Sequence, residues 1–289
     1  MKTYPFLCLI VALCALVSCE QPFLGEDESE VTGGNLTVRV FQIEKTPFAG
    51  LTRGVDSVGE VCTRLNYAVY DEDGSRVKQV NQTSDAENFG TISFRLEAGD
   101  YMVVVVAHSA NGNPKMTNSA KIQFSNATGY TDTFLCSGDV SINDEPVDMQ
   151  VSLDRIASMC RFVITDDSIP AEVKKMQFYY TGGSGAFDAS TGLGSVNSKQ
   201  VMTFDVGQDQ KQFDLYTFLH ESSSAISLKV TALDANDNVL YEREFDVPME
   251  QNHITWLSGA YFNGSGSSAS ANIGVIVNTD WAGDIHLTF

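Results

Sequence analysis

Val147-Asp-Met-Gln-Val-Ser-Leu153 carries an apolar residue at every second position, with Asp148, Gln150 and Ser152 between them. Successive side chains of a strand point to opposite faces, so this stretch builds one buried face and one wet face. Leu36, Val38 and Val40 alternate in the same way with Thr37, Arg39 and Phe41. Turn residues separate further apolar runs. Asp71-Glu-Asp-Gly74 lies between residues 65–70 and 77–80, and Asp234-Ala-Asn-Asp-Asn238 lies between residues 226–233 and 239–245, so each reads as a hairpin. One stretch has a helical pattern: Ser168-Ile-Pro-Ala-Glu-Val-Lys-Lys175 has Ser168 near an N-cap, Pro170 in the first turn and lysines at its end. The expected fold is all-β and mostly antiparallel, with one short helix at 168–175.

The first residues carry a different signal. Lys2 precedes the apolar run Phe6-Leu-Cys-Leu-Ile-Val-Ala-Leu-Cys-Ala-Leu-Val17, which Glu20 and Gln21 follow closely. A membrane-spanning helix needs roughly twenty apolar residues, so this run reads as a signal-peptide core. Leu16-Val-Ser-Cys19 resembles the lipobox of bacterial lipoproteins. The resemblance implies cleavage between Ser18 and Cys19, removal of residues 1–18, and acylation of the Cys19 sulfur. Each buried methylene contributes ~0.8 kcal/mol, so two or three acyl chains hold a protein lastingly where one does not. Residues 19–34, with the acidic run Glu26-Asp-Glu-Ser-Glu30, then read as a lipidated tether.

Loss of residues 1–18 removes one Lys and no acid, taking the formal charge from -19 to -20. With 37 acidic residues against 18 basic ones spread along the chain, no cationic stripe can form, and nucleic acid is excluded as a partner. Cys8 and Cys14 leave with the signal peptide, so Cys62, Cys136 and Cys160 remain with the acylated Cys19. Their spacing supports neither a zinc site nor a disulfide framework, and which two of them pair, if any, stays open. Cys160 is in phase with Phe162 and Ile164 and reads as a small apolar residue. His108, His220, His253 and His286 form no metalloprotease motif, and the Gly-Ser-Gly stretches at 183–185 and 264–266 lack the spacing of a nucleophile elbow. Neither acidic turn has the glycine or the terminal glutamate of a calcium loop. No enzyme, metal or cofactor is expected.

The roughly 270 residues left after processing suffice for two domains of ordinary size. Asp154-Arg155 interrupts an apolar pattern that resumes at Ile156, which places a boundary between 35–154 and 155–289. Leu96-Glu-Ala-Gly-Asp-Tyr101, followed by Met-Val-Val-Val-Val106, resembles the corner of transthyretin-like sandwiches, where the Tyr hydroxyl bonds nearby backbone. To this are added the lipobox, the junction Val151-Ser-Leu-Asp-Arg-Ile-Ala-Ser-Met-Cys-Arg161, the stretch Val247-Pro-Met-Glu-Gln-Asn-His-Ile-Thr-Trp-Leu-Ser-Gly-Ala-Tyr-Phe262, and Thr279-Asp-Trp281. Together they resemble the fimbrial anchor and fimbrillin-like lipoproteins of Bacteroides-type bacteria, the FimB-like family, over nearly the whole chain.

That resemblance implies two tandem transthyretin-like β-sandwich domains, surface exposure at the outer membrane through lipid, and a non-catalytic adhesion role beside other fimbrial subunits joined by strand addition. Stalk pilins of that group are cut after an Arg; Arg39 and Arg53 stand here without a distinctive context, which favours an anchor. Asp56-Ser-Val58 resembles an O-glycosylation acceptor of the same bacteria, making Ser57 the candidate acceptor. Ser168, in a similar triplet, reads instead as a helix cap. The final segment places Ile285, Leu287 and Phe289 on one face and His286 and Thr288 on the other. Such an apolar edge must be covered, either by its own domain or by the next subunit, and it is the candidate assembly strand. The competing function is a surface glycan-binding lipoprotein of a nutrient-uptake system. An exposed aromatic platform distinguishes it, and Trp256 and Trp281 both sit in or beside apolar strands where core packing is expected.

Replacing Cys19 tests the lipid anchor directly. The Cys19→Ala protein is expected to remain uncleaved or to be released, while the wild type partitions into detergent; equal partitioning of the two sinks the lipobox reading.

Overall fold

The computed structural model describes residues 33–44, 55–56, 58–207, 209–263 and 283–289, and strands dominate them. The first half contains β1 (Leu36–Glu44), β2 (Val55–Asp56), the one-turn helix α1 (Val58–Val61), β3 (Arg64–Tyr70), β4 (Arg76–Thr83) and β5 (Thr91–Phe94). It continues with β6 (Gly99–His108), β7 (Lys115–Asn118), β8 (Lys121–Gln123), β9 (Thr133–Ile142) and β10 (Val147–Arg155). The second half contains β11 (Ser158–Ile164), β12 (Lys175–Thr181), β13 (Ala186–Phe187), β14 (Gln200–Asp205) and β15 (Gln212–Thr217). Four further strands complete it: β16 (Ser223–Leu233), β17 (Val239–Glu250), β18 (His253–Gly259) and β19 (Gly283–Thr288).

The two alternating stretches lie side by side. β1 and β10 pair in parallel with Leu36 beside Val147, Val38 beside Met149 and Val40 beside Val151, so their apolar faces coincide. A bulge between Val40 and Gln42 breaks this register and leaves Phe41 69% exposed. The sheet runs β2-β1-β10-β9-β6-β3-β4, with β5 also paired to β1. Between β10 and β9 the register holds only at Asp154 with Leu135 and Arg155 with Phe134, so the sheet turns a corner there. Its two wings close on one core, where Leu36, Val38, Ile92, Phe94, Val151 and Leu153 meet Leu65, Tyr67, Val69, Val103 and Val105.

The second half stacks the sheet β15-β11-β18-β19 on the sheet β14-β12-β16-β17. Between them Phe162, Phe178, Tyr180, Phe213, Leu215, Leu228, Val230, Phe245 and Leu257 form a second core, in which Cys160 is fully buried. Each large apolar side chain so buried stabilises the fold by roughly 1.5–3 kcal/mol. A third core joins the halves. Ala68, Tyr70, Val104 and Val106, on the far face of β3 and β6, pack with Ile122, Phe124, Ile156, Phe187 and Phe218 beneath the small sheet β13-β8-β7. β6 is therefore buried on both faces, which is why it reads Val103-Val-Val-Val-Ala107 without alternation.

Both expected hairpins form, on one plan. The Asp71 carboxylate accepts the N–H groups of Asp73 and Ser75 at 3.1 and 2.9 Å, and the Asp234 carboxylate accepts those of Asn236 and Asn238 at 2.8 and 2.9 Å. The fourth residue is left-handed in each, Gly74 at φ 73° and Asp237 at φ 63°, and only the glycine takes that conformation without steric cost. Tyr101 donates to the Glu97 carbonyl at 3.2 Å, as its corner predicts.

Two expectations need correction. No helix forms at 168–175: Ile169 and Val173 both bury into the second core, and a single turn closed by Val173 N–H on the Pro170 carbonyl suffices to place them. The helix of the described residues is α1 instead. The pairing is mostly antiparallel, as expected, with parallel pairs at β1 with β10, β11 with β18 and β18 with β19. Asp154 and Arg155 continue β10 rather than interrupting it, and the buried residues Ile156 and Ala157 lead straight into β11.

His108 closes β6 in full burial. The Ala110 N–H donates to Nδ1 at 3.1 Å, so Nε2 carries the proton and donates to the Asn66 Oδ1 at 2.7 Å. Burial, reinforced by the nearby Arg64 charge, pushes the imidazole from its ordinary 6.5 to about 4. The unfolded chain then takes up a proton near pH 6.5 that the folded chain refuses, so this contribution to stability is complete above pH 6.5 and falls as the pH drops toward 4. His108→Gln is expected to lower Tm at pH 7 while flattening the decline of Tm between pH 7 and 5. An unchanged decline in thermal melts at both pH values contradicts the assignment.

Candidate functional site

The carboxyl-terminal strand and its seat bring together the chemistry that is easiest to connect with a function. β18 lies between β11 and β19, parallel to both. On the core side Leu287 is buried and Ile285 packs beside it. The Phe289 ring stacks on Phe162 at 5.2 Å and lies 4.8 Å from Phe245. The Phe289 N–H donates to the Ser258 carbonyl at 2.9 Å, and the Ser258 hydroxyl to the Leu287 carbonyl at 3.3 Å. Gly259 is required here because a Cβ at that position would lie 2.0 Å from the Phe289 carbonyl oxygen.

The outer side is polar and aromatic. The register aligns Asp214, Arg161, Trp256 and His286 across four strands. Arg161 holds Asp214 through two bonds of 2.7 and 2.8 Å, and its guanidinium lies 4.8 Å over the Trp256 ring. His286 stacks on the same indole at 5.4 Å. Burial raises the Asp284 carboxyl above its ordinary range, opposed by the nearby Trp256 indole and by His286, Arg161 and His253. The indole is near enough to favour the charged carboxylate, yet its N–H closes no hydrogen bond of good geometry, nor do Asp284 Oδ1 and His286 Nε2. A buried group left this way costs ~1–3 kcal/mol. The docked strand thus gains on its apolar face and loses on its polar one.

The exit from β18 is fixed by Asp166, 4% exposed, whose carboxylate accepts the N–H groups of Tyr261, Phe262 and Asn263 at 2.5, 3.1 and 2.9 Å. Sequence reading did not single out Asp166, because its partners stand some 95 positions away. Gly259 and Tyr261 do fall inside the quoted stretch 247–262, which was the available signal. Trp256 is not in the sandwich core: it is half-buried on the outer face, against the small pair Met159 and Ile254. Ser18, Cys19, Arg53, Ser57 and Trp281 lie outside the described residues.

Among the described residues, no group of three or more His, Cys, Asp or Glu side chains is placed to hold a metal. Cys62, Cys136 and Cys160 are free thiols, and burial pushes Cys62 and Cys160 up to about 12, where they stay protonated and unreactive. No helix among these residues is long and apolar enough to cross a membrane.

A family model described as a family of unknown function (DUF6562) matches residues 28–288. No curated protein matches the chain. Similar solved structures include a candidate adhesin of Bacteroides ovatus, 15% identical over 73% of this chain and 81% of that one, with a TM-score of 0.46. The fimbrial anchor protein Mfa2 of Porphyromonas gingivalis is 12% identical over 72% and 80%, with a TM-score of 0.41. A fimbrial assembly protein of Parabacteroides distasonis is 14% identical over 87% and 97%, with a TM-score of 0.38.

The Gly259 contact yields a test. Gly259→Ala drives a methyl group into the terminal carbonyl and is expected to undock β19, lowering Tm and speeding amide exchange across 283–289. Leu287→Ala, which keeps the backbone and removes the buried side chain, is expected to cost ~2–4 kcal/mol in denaturant melts. Gly207→Ala, with nothing within 4 Å, serves as the control. A Gly259→Ala protein as stable and as protected as the control refutes the docked strand.

Proposed function

This chain belongs to the DUF6562 family, and we propose that it is a lipid-anchored subunit of a cell-surface fimbria, acting as anchor or accessory subunit in adhesion. In this reading Cys19 carries the lipid at the outer membrane, residues 19–34 form the tether, and the units 35–154 and 155–289 stand off the surface as two sandwiches. The sequence supports surface display through Leu16-Val-Ser-Cys19 and the acidic run behind it.

The observation that carries the assembly part is the condition of β19. Strand addition requires backbone pairing for affinity and pockets for alternate side chains. The groove along β18 offers both, receiving Ile285, Leu287 and Phe289 on its core side. The polar atoms of Trp256, Asp284 and His286, which close no hydrogen bond of good geometry, weaken this docked arrangement from the other side. A strand held by opposing contributions suits exchange with an equivalent strand of a neighbouring subunit better than a fully satisfied one. Ser57, in the same reading, is a site for an O-linked sugar.

The test is recovery of the full-length protein from its native membrane. Pilin-like subunits are expected to co-purify with the wild type and to be lost with Leu287→Ala. Recovery of an uptake transporter with bound oligosaccharide, and no pilin-like subunit, overturns the proposal.

A further inference from the structure

The outer face of the β14-β12-β16-β17 sheet is not flat. It holds a groove of about 650 Å³, within the roughly 300–1,000 Å³ of small-molecule sites. Its centre is a row running across all four strands, in which the register places Thr203 beside Gln177, Gln177 beside Thr231 and Thr231 beside Glu242. Gln177 Nε2 donates to Thr203 Oγ1 at 3.4 Å and Thr231 Oγ1 to Glu242 Oε2 at 3.3 Å, long bonds that an incoming hydroxyl can replace. One wall is the 234–238 turn. The bulge between Ala232 and Leu233 and the left-handed Asp237 swing that turn over the sheet, where Asp237 meets Lys175 at 2.7 Å.

We propose that this groove binds a short neutral oligosaccharide. The row offers an amide, two hydroxyls and a carboxylate side by side, so donors and acceptors alternate as they do along the vicinal hydroxyls of a pyranose. Lys175 and Lys229 are neutralised within the groove by Asp237 and by Glu242, the latter at 3.4 Å, so no free cation is presented to an anion. The chain's formal charge of -19 further disfavours acidic glycans. Apolar surface for the sugar's C–H faces lies at the turn end, where the exposed Val239 stands beside Leu233. This site is on a different sheet from the seat of β19 and does not depend on the fimbrial reading.

The full-length protein in detergent is titrated calorimetrically with neutral gluco-, manno-, galacto- and xylo-oligosaccharides and with uronic-acid oligosaccharides. At least one neutral member is expected to bind with Kd of about 1 mM or tighter, and Gln177→Ala and Thr231→Val each to weaken it about tenfold, ~1.4 kcal/mol, with Tm unchanged. The proposal is overturned by no neutral binder, by tighter binding of the uronic acids, or by an affinity that neither substitution alters.

Discussion

The arrangement of the whole molecule depends on the guanidinium of Arg155. Its side chain is 4% exposed and lies against the Asp132 carboxylate with bonds of 2.8, 2.8 and 3.0 Å. A charge so buried must be paired and hydrogen-bonded, and losing either partner typically costs ~3–5 kcal/mol because the other is stranded. The ends of this pair belong to different parts of the fold. Asp132 precedes β9, Arg155 ends β10, and Arg155 also reaches Asn252 in the turn between β17 and β18 at 3.4 Å. Asn252 is left-handed at φ 58°, and its N–H is spent on the Ala157 carbonyl. The corner of the first sheet, the entry to β11 and the start of β18 are thus tied at one point. The Phe134 ring, 4.8 Å below the guanidinium, seals it from water.

How far the sequence reveals this varies with what each residue faces. β1 and β10 have one dry side and one wet side, so their alternation declares them. β3 and β6 have two dry sides and show only continuous apolar runs, which tell that they are buried but not between what. The hairpin turns were legible because an Asp with its own downstream N–H groups is a local device. The parallel pairings were not, because nothing in a strand's composition records the direction of its neighbour. The misplaced helix has a similar cause. Ile169 and Val173 have helical spacing, but two buried residues four apart are equally served by a turn pinned at both ends to strands.

At the terminal strand, the core-facing set of Ile285, Leu287 and Phe289 was readable and the outer face was not. Trp256 reads as core by its neighbours in sequence, yet cross-strand partners 95 and 30 positions away, Arg161 and His286, decide its environment. Asp166 belongs to the same class. Residues whose role is set by long-range register stay silent in a single sequence, whereas residues whose role is set by the strand they sit on do not.

The direction in which the first and last strands run has a mechanical meaning. β1 is parallel to β10 across eight paired residues, and β19 is parallel to β18 across six. A pull along either strand strains its row of backbone bonds together, in shear, instead of peeling them off one at a time. Under tension applied between β1 and β19, each of these rows carries the full load in turn, and each resists it in shear. The third core, which packs β3 and β6 against residues of the second half, transmits that tension as if through a single stiff link.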